Sequence, residues 1–191
     1  MPRVDISKHL VHWTKGQTYK DAFIALRNIV SEQRLLGGNG CIRGGFNCVC
    51  FTEAPEAAFH QILGRYKHFG IRVSKAWLFA QGGRPVIYQR GEEYDLLPDE
   101  IKWRHVRYEP DANPPFDFSW EREWRVKCDE LFLPPEEITI ILPNEDWAQL
   151  LLDEHFYNEH GRITLTQELW GEWAAIEEPQ PFQYKFSLLP A

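Results

Sequence analysis

The chain predicts an α+β fold built on an antiparallel or mixed sheet, and three observations carry that expectation. Short branched and aromatic runs recur as strands, longer segments place apolar residues at helical spacing, and glycine and proline clusters separate them. With 191 residues, 43% of them hydrophobic and 26% charged, the length suits one domain, 1–191, with a sizeable core.

Taken in order, Leu10 to Thr14 reads as a first strand and Lys15 to Thr18 as a turn, with Thr18 capping the helix that follows. From Tyr19 to Ser31, Phe23, Leu26, Ile29 and Val30 form the apolar stripe of an amphipathic helix. The glycines between Gly37 and Gly45 predict a flexible loop, and Asn47 to Thr52 a second strand. Pro55 opens a helix running to about Tyr66, since proline suits a first helical position. Ile71 to Phe79 predicts a strand, and the turn Gly82 to Pro85 leads into a strand Val86–Tyr88. The charged stretch from Gly91 to Pro115 follows, within which Ile101–Tyr108 suits no one element type. A strand then carries Glu121 and Glu123 and ends near Cys128. Ile138 to Leu142 forms a strongly branched strand, Glu145 to His160 a helix, and the tail from about 177 is irregular.

Composition narrows the functional classes. A net charge of −7 argues against a broad electrostatic footprint for nucleic acid, although Lys102, Arg104, His105 and Arg107 form one local basic cluster. No apolar run approaches the roughly 20 residues that span a bilayer, and Met1 to Asp5 lacks a secretory apolar stretch, so a cytoplasmic chain without membrane contact is expected. The four cysteines show no C-x-x-C spacing, which argues against a zinc site. Eight tryptophans suit either stacking pockets or a core filled by large side chains.

Three segments put polar groups on otherwise apolar strands: His12-Trp13-Thr14, Phe51-Thr52-Glu53 and Glu121-Arg122-Glu123. In an extended strand Glu121 and Glu123 would project to one face, where two like charges call for a neutralising partner or a raised pKa. A strand lining a site tolerates that better than a strand lining a core. The competing reading is an exposed strand whose Glu121, Arg122, Glu123 and Arg125 pair across the sheet. Likewise, His12 and Thr52 could be hydrogen-bonded structural residues, and Glu53 an acidic helix start.

The order of these motifs resembles that of ADP-ribosyltransferases: a first-strand Arg or His, a Ser or Thr beside an aromatic, then a glutamate strand. His12-Trp13-Thr14 is similar to the first motif of DarT-like and PARP-like branches, and the Glu-x-Glu pair to the toxin branch. The wider pattern from Leu10 to Val126 resembles bacterial abortive-infection proteins of the AbiGi type.

That resemblance implies an ADP-ribosyltransferase-like split antiparallel or mixed sheet core with flanking helices, with NAD as co-substrate and no metal. It implies transfer of ADP-ribose to a nucleic-acid or protein acceptor in toxin or phage-defence settings. Glu123 would be the catalytic glutamate and Glu121 the residue engaging the acceptor. His12 would hold the adenosine ribose, and Thr14 the nicotinamide ribose or the strand end. Thr52 would order the nicotinamide side, with Phe51 or Tyr88 available for stacking, and Trp13 would belong to the cofactor pocket with His12 and Thr14. Arg43 and Arg84, beside glycines, are candidates to meet the pyrophosphate. The alternative is a catalytically inactive module on the same fold, acting as antitoxin or regulatory partner of an operon-encoded effector.

Overall fold

The computed structural model describes residues 6–53, 67–171 and 178–189. In chain order the elements are β1 (His9–Trp13), α1 (Tyr19–Glu32), β2 (Arg34–Leu36), β3 (Cys48–Thr52), β4 (Gly70–Ser74) and α2 (Lys75–Ala80). There follow β5 (Arg84–Pro85), β6 (Ile87–Gln89), β7 (His105–Arg107), β8 (Glu123–Lys127), β9 (Glu130–Phe132), β10 (Thr139–Leu142), α3 (Glu145–Trp170) and β11 (Lys185–Leu188). The main sheet runs β11-β10-β4-β1-β3-β8-β5, antiparallel except where β11 lies parallel to β10. Two short ladders, β2 with β9 and β6 with β7, stand beside it. The expected mixture of helix and mostly antiparallel sheet is present.

Local chemistry sets the element ends. Thr18 accepts a hydrogen bond from the Asp21 N–H while Asp21 accepts one from the Thr18 N–H, a reciprocal cap that starts α1. Ala22, Phe23 and Leu26 bury its inner face. Ser74 caps α2 by accepting from the Trp77 N–H at 3.0 Å. That cap corrects the strand expected over Ile71–Phe79: the chain turns from strand to helix at Ser74. Asn144 caps α3, which runs ten residues beyond His160, to Trp170, and buries only Leu151. The tail is corrected too, since Lys185–Leu188 pairs with Thr139–Leu142. The helix expected over 55–66 lies outside the described residues.

The glycine loop is tethered rather than free. Gly37 N–H donates to the Asp129 carbonyl at 2.7 Å, and Gly38 and Cys48 exchange backbone hydrogen bonds. Within Ile101–Tyr108, Lys102–Arg104 forms a 3-10 turn and His105–Arg107 becomes β7.

One face of the sheet carries Leu10, Val49, Phe51, Val126 and Ile140 into the main core, where α1 and α3 meet it through Phe23 and Trp147, 5.0 Å apart. The opposite face holds smaller clusters, Val11 with Trp13, Ile141 and Leu189, and Cys48 with Ile42 and Trp103. Gly70 allows β4 to lie close to β1: a Cβ there would stand 3.0 Å from both Val11 and the Trp13 ring. No helix among the described residues is long and apolar enough to cross a membrane.

Candidate functional site

Alternation along β3 points Cys48, Cys50 and Thr52 to the face opposite the main core. The β3–β8 register sets Thr52 opposite Glu123 and Cys50 opposite Arg125, so these four side chains share that face. On the other side of β3, β1 shares only one register pair with it, Val11 with Thr52, against five between β1 and β4. Here β1 and β3 diverge, and the Cys50 carbonyl is met by a side chain instead of a ladder amide: His12 Nδ1 lies 2.8 Å from it. Over this face opens a cleft of about 490 Å³, within the size range of small-ligand sites. His12, Thr52, Glu121, Glu123 and Arg125 line it, together with Lys15 and Arg43.

A carbonyl oxygen only accepts, so His12 Nδ1 carries the proton in this bond. Burial is the main influence on the ring and lowers its pKa; nearby Lys15 lowers it further, against the opposing pull of the Cys50 carbonyl. The neutral imidazole therefore leaves Nε2 as an acceptor suited to a hydroxyl donor. Phe51 stands edge-on to His12 at 5.7 Å and touches the cleft, but its ring belongs to the main core. Trp13 is 5% exposed and forms part of the cleft wall.

The two glutamates do not alternate on one strand as expected. Ser119–Glu121 forms a 3-10 turn, Arg122 follows in the left-handed region with φ 44° and ψ 52°, and β8 begins only at Glu123. Left-handed backbone is costly for a residue with a Cβ, and contacts on both flanks hold it here. Thr52 Oγ1 donates to the Glu121 carbonyl, and the Glu53 N–H reaches the Glu121 and Arg122 carbonyls at 3.3 Å. Glu121 and Glu123 still reach the same cleft, by different backbone routes.

Arg125 meets the Glu123 carboxylate side-on, Nε to Oε1 at 2.8 Å and Nη2 to Oε2 at 3.2 Å. Its Nη1 donates to the Trp103 and His105 carbonyls at 2.9 and 3.1 Å. The pair is nearly dry, with side-chain exposures of 5% for Arg125 and 13% for Glu123. Burial, reinforced by the Glu123 carboxylate, pushes the Cys50 thiol far up, and burial takes Cys48 to about 11. Both stay thiols at neutral pH.

Several expected roles are corrected. Of the two roles expected for Thr14 the strand end is the one present: it is buried, with its hydroxyl between the Ala22 and Phe69 carbonyls at 3.1 Å each, and does not face a ligand. Tyr88 braces the backbone: its hydroxyl accepts from the Glu123 N–H at 3.1 Å and lies 3.3 Å from the Phe118 carbonyl, leaving the ring edge-on to Tyr108. Arg84 is turned onto the Phe79 ring, 3.8 Å from its centroid, whereas Arg43 borders the cleft. Arg43 donates to the Gly91 carbonyl and covers Tyr94 at 4.1 Å; Gly44, at φ +90°, gives the loop the conformation that brings it there. The basic cluster is dispersed, Lys102 pairing with Asp99, Arg104 with the Pro85 carbonyl and Arg107 with Glu109, while His105 is buried.

Arg125 is the site residue that the sequence suggested only as one partner in cross-strand pairing. Its signal was present: an opposite charge two residues along one strand shares a face. The Trp103 and His105 carbonyls carried no such signal, because any residue there supplies the same acceptor. Among the described residues no group of three or more His, Cys, Asp or Glu is arranged to hold a metal. Compared with protein-family models, with curated proteins and with solved structures, the chain matches none.

Proposed function

We propose that this protein is an NAD-dependent mono-ADP-ribosyltransferase of the bacterial toxin or phage-defence type, acting on a nucleic-acid or protein acceptor. One observation carries the reading: His12, Thr52 and Glu123, far apart in sequence, converge on one cleft from the neighbouring strands β1, β3 and β8.

Their chemistry suits the reaction. Breaking the bond between ribose and nicotinamide sends the electron pair to the departing base, which leaves neutral, and places positive charge on the ribose carbon and ring oxygen. Glu123 is the carboxylate available to that charge. The acceptor nucleophile then bonds to the ribose carbon and gives up its proton, a task for Glu121 or Glu123. Neutral His12 offers Nε2 to a ribose hydroxyl, and Arg43 borders the cleft as the cation for a pyrophosphate.

Purified protein incubated with labelled NAD and cell extract is expected to transfer label, and Glu123→Gln to abolish transfer. Nuclease or protease treatment of the product then identifies the acceptor class. Absence of both label transfer and nicotinamide release by the wild-type protein would overturn the proposal.

A second reading draws on the dry Arg125–Glu123 pair. A carboxylate already matched by a guanidinium exerts a weaker field on a nearby cation, which favours a module that binds without turnover and serves as an antitoxin or regulatory partner. Binding of NAD without nicotinamide release would select it.

A further inference from the structure

We infer that Arg125 is a positioning residue for the proposed transfer, fixing the plane of the Glu123 carboxylate and tying it to the Trp103 and His105 main chain. The inference rests on the transferase reading and adds to it a residue whose role is geometric.

The guanidinium makes four hydrogen bonds. Two go to the two oxygens of Glu123, and two to the Trp103 and His105 carbonyls. A planar fork that meets both carboxylate oxygens fixes the rotation of the carboxylate as well as its distance, which a point charge cannot do. The far end of the fork is anchored to main chain and not to another mobile side chain. Trp103 is the middle residue of the 3-10 turn before β7 and His105 opens β7, and His105 itself borders the cleft. His105 is held in turn by a 3.1 Å contact between its Nε2 and the Arg90 carbonyl.

Backbone contacts complete the frame around Glu123. Its N–H donates to the Tyr88 hydroxyl, and β3 lies alongside through the Thr52–Glu123 register pair. The backbone of Glu123 is thus held by Tyr88 and by its strand partner, and its carboxylate by the guanidinium. Such a carboxylate needs no reorientation when charge develops next to it, which is the advantage of preorganised electrostatics.

The alternative roles of Arg125 make different predictions. If only its charge mattered, lysine would serve. If it served only folding, loss of the fork would lower stability, NAD affinity and rate together. An orienting fork predicts a split: binding persists while the chemical step slows.

The test compares wild type, Arg125→Lys and Arg125→Gln by calorimetric NAD affinity, single-turnover nicotinamide release and thermal melting. NAD affinity is expected to stay within about 3-fold in both variants while release slows by about 100-fold, the cost of misplacing a reacting group by roughly an ångström. Arg125→Lys is expected to recover almost none of that loss. Release by Arg125→Lys at the wild-type rate overturns the inference, as does parallel loss of affinity, rate and melting temperature. A wild-type protein that releases no nicotinamide overturns the transferase reading and this inference with it. An active wild type with a fully active Arg125→Lys overturns this inference alone. Should the variants fail to fold, NMR of the wild-type Arg125 Nε–H decides: protection from exchange is expected to persist with NAD bound, and its disappearance overturns the proposal.

Discussion

In the cleft over β3 and β8, Arg125 reaches four acceptors at 2.8 to 3.2 Å and is almost fully buried. A second cleft of about 340 Å³ lies between α1, α3 and residues 180–184, and there Arg27 approaches Glu154 at 3.5 Å with 40% and 30% of their side chains exposed. Both clefts carry an arginine–glutamate pair, but strands hold one and helix surfaces hold the other. In the first, strand alternation and register leave the two side chains little choice of direction. In the second, each charge sits on a flexible stem of its own helix, partly in water, where solvent competes for it. Burial and geometry, not the presence of opposite charges, separate a site from a surface pairing.

The largest expected difference between the clefts is catalytic. Glu123→Gln is expected to slow nicotinamide release by about 1,000-fold, the scale of losing one preorganised electrostatic group, while Arg27→Ala leaves the rate unchanged. Single-turnover assays of the two variants check this.

Stability follows. Arg125→Ala strands a nearly buried carboxylate and is expected to cost about 3–5 kcal/mol. The same change at Arg27 is expected to cost about 0–1 kcal/mol, because its pair lies partly in water and meets through a long 3.5 Å contact. Urea denaturation of both variants measures the contrast. Thr18→Ala, which removes the cap of the helix walling the second cleft, is expected to cost about 1 kcal/mol by the same measurement.

A smaller effect comes from His12. Its folded pKa lies below the ordinary histidine value of 6.5, with burial the main cause. Above 6.5 both folded and unfolded chains hold it neutral, so its full stabilising contribution is present. As pH falls through 6.5 the unfolded chain takes up a proton that the folded chain resists, and stability declines until the lower folded pKa is passed. Thermal melts at about pH 7.5 and about pH 5.5 are expected to show a smaller acid loss for His12→Asn than for the wild type.

The sequence made the frame of the site readable but not its local geometry. The Thr18 cap, the stripe through Phe23 and Leu26, and the branched runs at β1, β3, β8 and β10 follow from side-chain chemistry within each segment. Glu121 was misplaced because nothing in Glu-Arg-Glu marks Arg122 as left-handed; contacts from Thr52 and Glu53 impose that conformation from another strand. The strand Lys185–Leu188 escaped because its pairing with β10 is a long-range choice that local composition does not encode. The family resemblance offered Thr14 and Tyr88 to a ligand, whereas their hydroxyls are committed to backbone groups. Tertiary hydrogen bonds, absent from any local pattern, decided each of these cases.

The central claim is that the cleft lined by His12 and Glu123 is an NAD site. Its most direct test is calorimetric titration of NAD into Glu123→Gln, where turnover does not obscure binding. The expected result is saturable one-to-one binding that His12→Ala weakens and Arg27→Ala leaves intact. No binding, or binding that Arg27→Ala abolishes and His12→Ala does not affect, would contradict it.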